Sequence, residues 1–216
     1  MLILTFSTGV IDAVGYLGLD RVFTGNMTGN VVILGMALTG TTNLPVLGPV
    51  LALVFFFGGA MISGRMLRGK SEGWSGPTSL AVGLVSLLLL AVSTGLFFFG
   101  THAFPHLAEA VTSVLGLAMG IQAAAARHVK VVDVTTVVVT STLTGLAADS
   151  RFAARKGQDW AKRLLAVMLI LLGALAGAAL LTVAMWLPIL LSGVLTAGVV
   201  VAGHRRVRAD AVKELS

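Results

Sequence analysis

The stretch RVFTGNMTGNVVILGMALTG, residues 21–40, is apolar enough for membrane depth, yet its first half is a poor helix. Phe23-Thr24-Gly25-Asn26-Met27-Thr28-Gly29-Asn30 holds two Gly, two Asn and two Thr within eight residues. Gly is entropically costly in a helix, and Asn and Thr side chains compete for backbone hydrogen bonds. The second half, from Val31 onward, is a good short apolar helix that Thr28 or Asn30 can cap. The pattern predicts a coil leading into a half-helix that begins inside the bilayer. Irregular backbone at that depth is tolerated only where protein or a water-lined cavity satisfies it. The stretch therefore reads as a candidate site, with the rest of the chain as its housing.

That housing is apolar. Of 216 residues, 56% are hydrophobic and 11% charged, and several charge-free runs reach membrane-spanning length. The chain is read as an all-α integral membrane protein whose first partner is the lipid bilayer. The net charge of +6 sits in short loops, which suits an anionic leaflet and not nucleic acid. With no Cys, thiolate chemistry, disulfides and Cys metal sites are excluded. The opening run lacks a basic n-region, so a cleaved signal peptide is not expected.

Spans are predicted at about 2–19, 45–64, 78–100, 108–126, 163–184 and 187–203. The last two follow from some forty apolar residues, roughly 60 Å as one helix and so too long for one crossing. A turn is expected near Trp186-Leu187-Pro188. A second ambiguous, Thr-rich stretch covers 131–148. It resembles 22–40: Met27-Thr28-Gly29-Asn30 falls opposite Val139-Thr140-Ser141-Thr142, and Asp12 opposite Gln122. Small-xxx-small pairs follow in both, Gly59 with Ser63 and Gly173 with Gly177. These matches predict two repeats, 1–104 and 105–216.

Charge separates two topologies. If both ambiguous stretches cross fully, eight spans put basic loops on both sides. If both are re-entrant, six spans remain and, of 15 Lys and Arg residues, only Arg21 lies outside. The positive-inside rule prefers six, with both termini cytoplasmic. The two three-helix repeats are then inverted, an architecture shared by many transporters.

The segment from Gly9-Val10-Ile11-Asp12-Ala13 to Asn26-Met27-Thr28-Gly29-Asn30 resembles the YoaK-like family of bacterial inner-membrane proteins, whose function is unknown. Met119-Gly120-Ile121-Gln122, Asp133-Val134-Thr135-Thr136 and Thr142-Leu143-Thr144-Gly145 fit the same pattern further on. Ala123 departs from it, since the family tends to have Asn there. The resemblance implies a bacterial multispan protein of the inner membrane and supplies no substrate.

Asp12 is the sharpest candidate, because an ionisable side chain at mid-span is costly and functional by default. The other reading is a carboxyl that locks the broken loop by accepting its N–H groups; the two are compatible. Candidate solute-binding residues are Asp12, Thr24, Asn26, Thr28, Gly29, Asn30, Gln122, Thr136, Thr140, Ser141 and Thr142. Two half-helix N-termini converging from opposite faces suit an anion or carboxylate, and Asp12 suits proton coupling. No catalytic residue, metal site or cofactor is expected; His102 and His106 read as a solvated loop. The function expected is transport of a small solute through a carrier or channel, with a possible homodimer through Gly-rich faces. The alternatives are a structural or assembly protein and, after that, a membrane enzyme.

Overall fold

The computed structural model describes residues 1–101, 105–129, 139–148 and 160–214, the last seven of these by backbone only. Eight helices are described: α1 (Leu2–Gly18), α2 (Met27–Ala37), α3 (Leu47–Met66), α4 (Gly76–Phe99), α5 (Leu107–Val129), α6 (Val139–Ala148), α7 (Trp160–Leu181) and α8 (Trp186–Glu214). No strand occurs among the described residues. Five of the helices, α3, α4, α5, α7 and α8, are long and apolar enough to cross a membrane. At 17 residues, α1 is slightly shorter and carries Asp12. The 11 residues of α2 and 10 of α6 extend about 15 Å each, half the thickness of a hydrocarbon core.

The turn expected around Trp186-Leu187-Pro188 falls earlier, over residues 182–185. Pro188 instead sits in the first turn of α8, where an N–H has no intrahelical partner to lose. Similarly, α7 opens at Trp160, ahead of the expected start of that span at about 163.

Two seams hold the bundle, and both are made by glycine. In the first, α1 runs parallel to α7: a Cβ on Gly173 would collide with the Phe6 carbonyl, and one on Gly9 with the Ile170 carbonyl. In the second, α3 runs parallel to α5: a Cβ on Gly59 would strike the Leu117 carbonyl, and one on Gly120 the Phe56 carbonyl. Backbones come this close only where side chains are absent, the means by which membrane helices gain van der Waals contact without a hydrophobic drive. The third long contact, α4 with α8, is antiparallel. Ser86 donates to Gly193 O at 2.9 Å and Ser93 to Trp186 O at 2.9 Å, while Trp74 packs over Gly203.

The contacts have a pattern. Exchanging α1–α4 for α5–α8 turns α1 with α7 into α5 with α3, α4 with α5 into α8 with α1, and α2 with α3 into α6 with α7. α4 with α8 maps onto itself. The glycine contacts set the register of this exchange: Phe6 and Val10 at Gly173 correspond to Leu117 and Ile121 at Gly59, and Gly9 corresponds to Gly120. Asp12 therefore corresponds to Ala123, not to Gln122. One residue along a helix is a turn of about 100°, so the polar match in sequence is not a match in space.

The basic residues gather at one end of the bundle. Arg65 closes α3, Arg127 and His128 close α5, and His128 Nε2 lies 3.0 Å from Ser71 O in the loop after α3. Arg206 lies close enough to the Met1 amino group to influence it. The opposite end carries Arg21, the Thr39–Thr41 hydroxyl pair and the edge-on Phe97–Trp186 contact.

Candidate functional site

The site begins where α1 ends. Leu19 N donates back to Gly15 O, and Asp20 and Arg21 both take φ of 60°, a left-handed step that reverses the chain at once. The returning backbone passes so near α1 that a Cβ on Gly15 would collide with the Val22 carbonyl. Residues 22–26 then run without helix alongside α1.

Asp12 holds that run. Its Oδ1 accepts from Gly25 N at 2.7 Å and from Thr24 N at 3.0 Å. The loop is closed a second time by Asn30, whose Oδ1 accepts from Phe23 N at 2.9 Å while its amide donates to Phe23 O. Asn26 caps α2, its side chain accepting from Gly29 N at 3.2 Å. Each Asn thus satisfies backbone that the missing helix left open, as buried polar groups require. Thr24, fully buried, donates its hydroxyl to Ile11 O at 3.3 Å.

A cavity of about 880 Å³ opens beside this lock, within the range of small-molecule sites. Asp12, Asn26, Thr28 and Gly29 line it, and so does Thr140 at the start of α6. The other described candidates do not. Thr24 and Asn30 are spent inside the loop, and Thr142 is buried on α6 away from the cavity. Ser141 is exposed and is not among the lining residues. Thr136 lies outside the described residues. Gln122, read from sequence as the counterpart of Asp12 in the other repeat, points into the α1–α5 interface. Its Nε2 donates to Thr8 Oγ1 at 3.0 Å and approaches Leu4 O at 3.4 Å, while its Oε1 is buried without a partner. It acts on the cavity only through Thr8, which does line it.

Further lining residues carry little or no signal in sequence. Ile170, Ala174 and Ala178 come from α7, apolar residues on an apolar helix. Tyr16 and Phe23 do have a readable chemistry: their rings stack at 5.0 Å with 26° between planes, and both face the cavity. Arg21 lines the rim. No cluster of three metal-ligating side chains occurs among the described residues. His106 is 3.6 Å from Glu109 in the loop end of α5, and His102 lies outside the described residues.

The family model described as "Protein of unknown function (DUF1275)" matches residues 1–202. A relative, the UPF0700 transmembrane protein YoaK of Bacillus subtilis (strain 168), is 32% identical over 181 residues, covering 80% of this chain and 79% of its own. No solved structure matches significantly. The transmembrane relative and the long apolar helices agree on a multi-pass membrane protein. With the family model covering nearly its whole length, this chain belongs to the DUF1275 family of membrane proteins.

Proposed function

We propose that the protein carries a small solute across the bacterial inner membrane, as a transporter or channel, through the cavity between α1, α2, α6 and α7. One observation carries the reading: a cavity of solute size is lined by the non-helical run after α1, by the starts of two half-length helices and by an ionisable residue at mid-span. Broken helices and intramembrane carboxyls are costly, and together at a cavity they mark solute pathways.

The topology that goes with this function is six crossings, with 22–40 and 131–148 re-entrant and both termini cytoplasmic. Eight full crossings would make α4 and α8 parallel, whereas they run antiparallel. The gathered basic end supports a cytoplasmic face there. The exchange pattern of the helix contacts supports two inverted repeats. No catalytic step, cofactor or nucleic acid enters this reading.

The competing reading is a structural or assembly protein in which the broken loop serves packing alone. Proteoliposomes loaded with mixed small amines, carboxylates, amino acids and nucleobases separate the two. Solute loss above protein-free vesicles is expected, and Val32→Trp, which fills the cavity from α2, should abolish it. Loss no faster than from protein-free vesicles, for every solute, would reject transport. Topology is tested by single-Cys labelling of this Cys-free chain: sites at Gly40 and Ser71 should label from opposite sides.

A further inference from the structure

Resting on that reading, we infer that the solute is an organic cation, an amine with an apolar body, whose ammonium group sits on Asp12 and against the Tyr16–Phe23 pair. The converging helix starts, taken alone, suggest an anion. In the folded chain, however, the run leading into α2 and part of the helix's first turn already have acceptors. Thr24 N and Gly25 N donate to the Asp12 carboxylate, Gly29 N to the Asn26 side chain and Asn30 N to Asn26 O. The protein's own carboxylate already takes up the N–H groups of the run that leads into α2.

Among the described residues, that carboxylate is not balanced by a cationic side chain. Asp12 makes no ion pair among the described residues, although Arg21 borders the same cavity. Backbone N–H groups hold it, yet Asp12 remains half-buried, with the cavity beside it. A carboxylate in a membrane span calls for a positive partner, and the cavity is where one can come from. The stacked Tyr16 and Phe23 rings add a face that attracts cations through the ring quadrupole. Ile33, Ile170 and Ala174 make most of the remaining wall apolar, which suits a hydrocarbon body and not the hydration shell of an inorganic ion.

Three isosteric probes test the charge directly: cyclohexylammonium, cyclohexanecarboxylate and cyclohexanol. The readout is the melting temperature of the purified full chain, followed by the fluorescence of Trp74, Trp160 and Trp186. Cyclohexylammonium should raise Tm by roughly 3–6 °C at ten times its Kd. Cyclohexanecarboxylate and cyclohexanol should not. Asp12→Asn should lose the shift; should that variant fail to fold, Val32→Trp, which leaves the carboxylate lock intact, should lose it equally. A shift from the carboxylate instead of the amine overturns the inference while leaving a solute cavity in place. An equal shift from all three, or an amine shift that survives both variants, overturns it as well. Failure of transport itself is read separately, in the vesicles, so the two conclusions fall independently.

Discussion

The two halves of the chain share a contact plan but differ at its centre. In the first half, the position beside the seam glycine Gly9 carries Asp12, which ties down the run after α1 through two backbone N–H groups. The corresponding position in the second half is Ala123, which can accept nothing. Among the described residues, close glycine packing thus occurs in both halves, while a carboxylate holding neighbouring backbone occurs in the first. The seams require small residues in both halves, whereas the loop that Asp12 ties down lies in the first.

Asp12→Leu is the strongest test of that difference. It strands the Thr24 and Gly25 donors at roughly 1–3 kcal/mol each, so a loss of about 2–6 kcal/mol is expected in chemical or SDS unfolding of the detergent-solubilised protein. Ala123→Leu, the same change at the matching place, should fall within about 1 kcal/mol of wild type, because no donor depends on Ala123. Equal losses at both positions would end the comparison. Next in size are the seams. Gly173→Ala and Gly59→Ala each push a methyl onto a carbonyl of the neighbouring helix, and overpacking of this kind costs about 1–3 kcal/mol. The two should be alike, and a large gap between them would show that the seams are not equivalent.

Asp12→Asn is expected to be milder than the Leu change, since an amide oxygen still accepts and only the charge assistance is lost, about 1 kcal/mol. It should fold and yet change the pH or cation dependence of solute movement in vesicles. Identical rates at every pH would make Asp12 a lock and nothing more. Gln122→Met should have the smallest effect. Its Oε1 is already buried without a partner, and Leu4 O still accepts from Thr8 Oγ1 at 2.9 Å, so stability within about 1 kcal/mol of wild type is expected. A loss above 2 kcal/mol would place a second lock in the α1–α5 interface.

What can be read from sequence follows from the kind of signal each residue carries. Hydropathy marks α3, α4, α5, α7 and α8, because a run of twenty apolar residues matches the thickness of the hydrocarbon core and has little place in water. Asp12 and the Gly/Asn/Thr cluster are legible because each is expensive at membrane depth, and their contact follows from who can donate and who can accept. The α7 wall is not legible: Ile170, Ala174 and Ala178 look like any lipid-facing residues until the Gly173 seam turns them inward. Gln122 misleads when polarity is used to align the halves. Glycine serves better, since a seam fixes register to the residue and a lone amide does not. Asn30 reads as lining a site and instead closes a loop, a distinction set by one side-chain rotamer and invisible in a string of letters.

The seams also limit how the molecule can move. Each joins a helix of the first half to one of the second, backbone against backbone, with no side chain between to act as a bearing. Rocking one half against the other would tear α1 from α7 and α3 from α5 together. The mechanical parts of this protein are therefore not its halves but two cross-braced struts, α1–α7 and α3–α5. The half-length helices α2 and α6 belong to neither strut, and among the described elements they pack against α3 and α7 respectively.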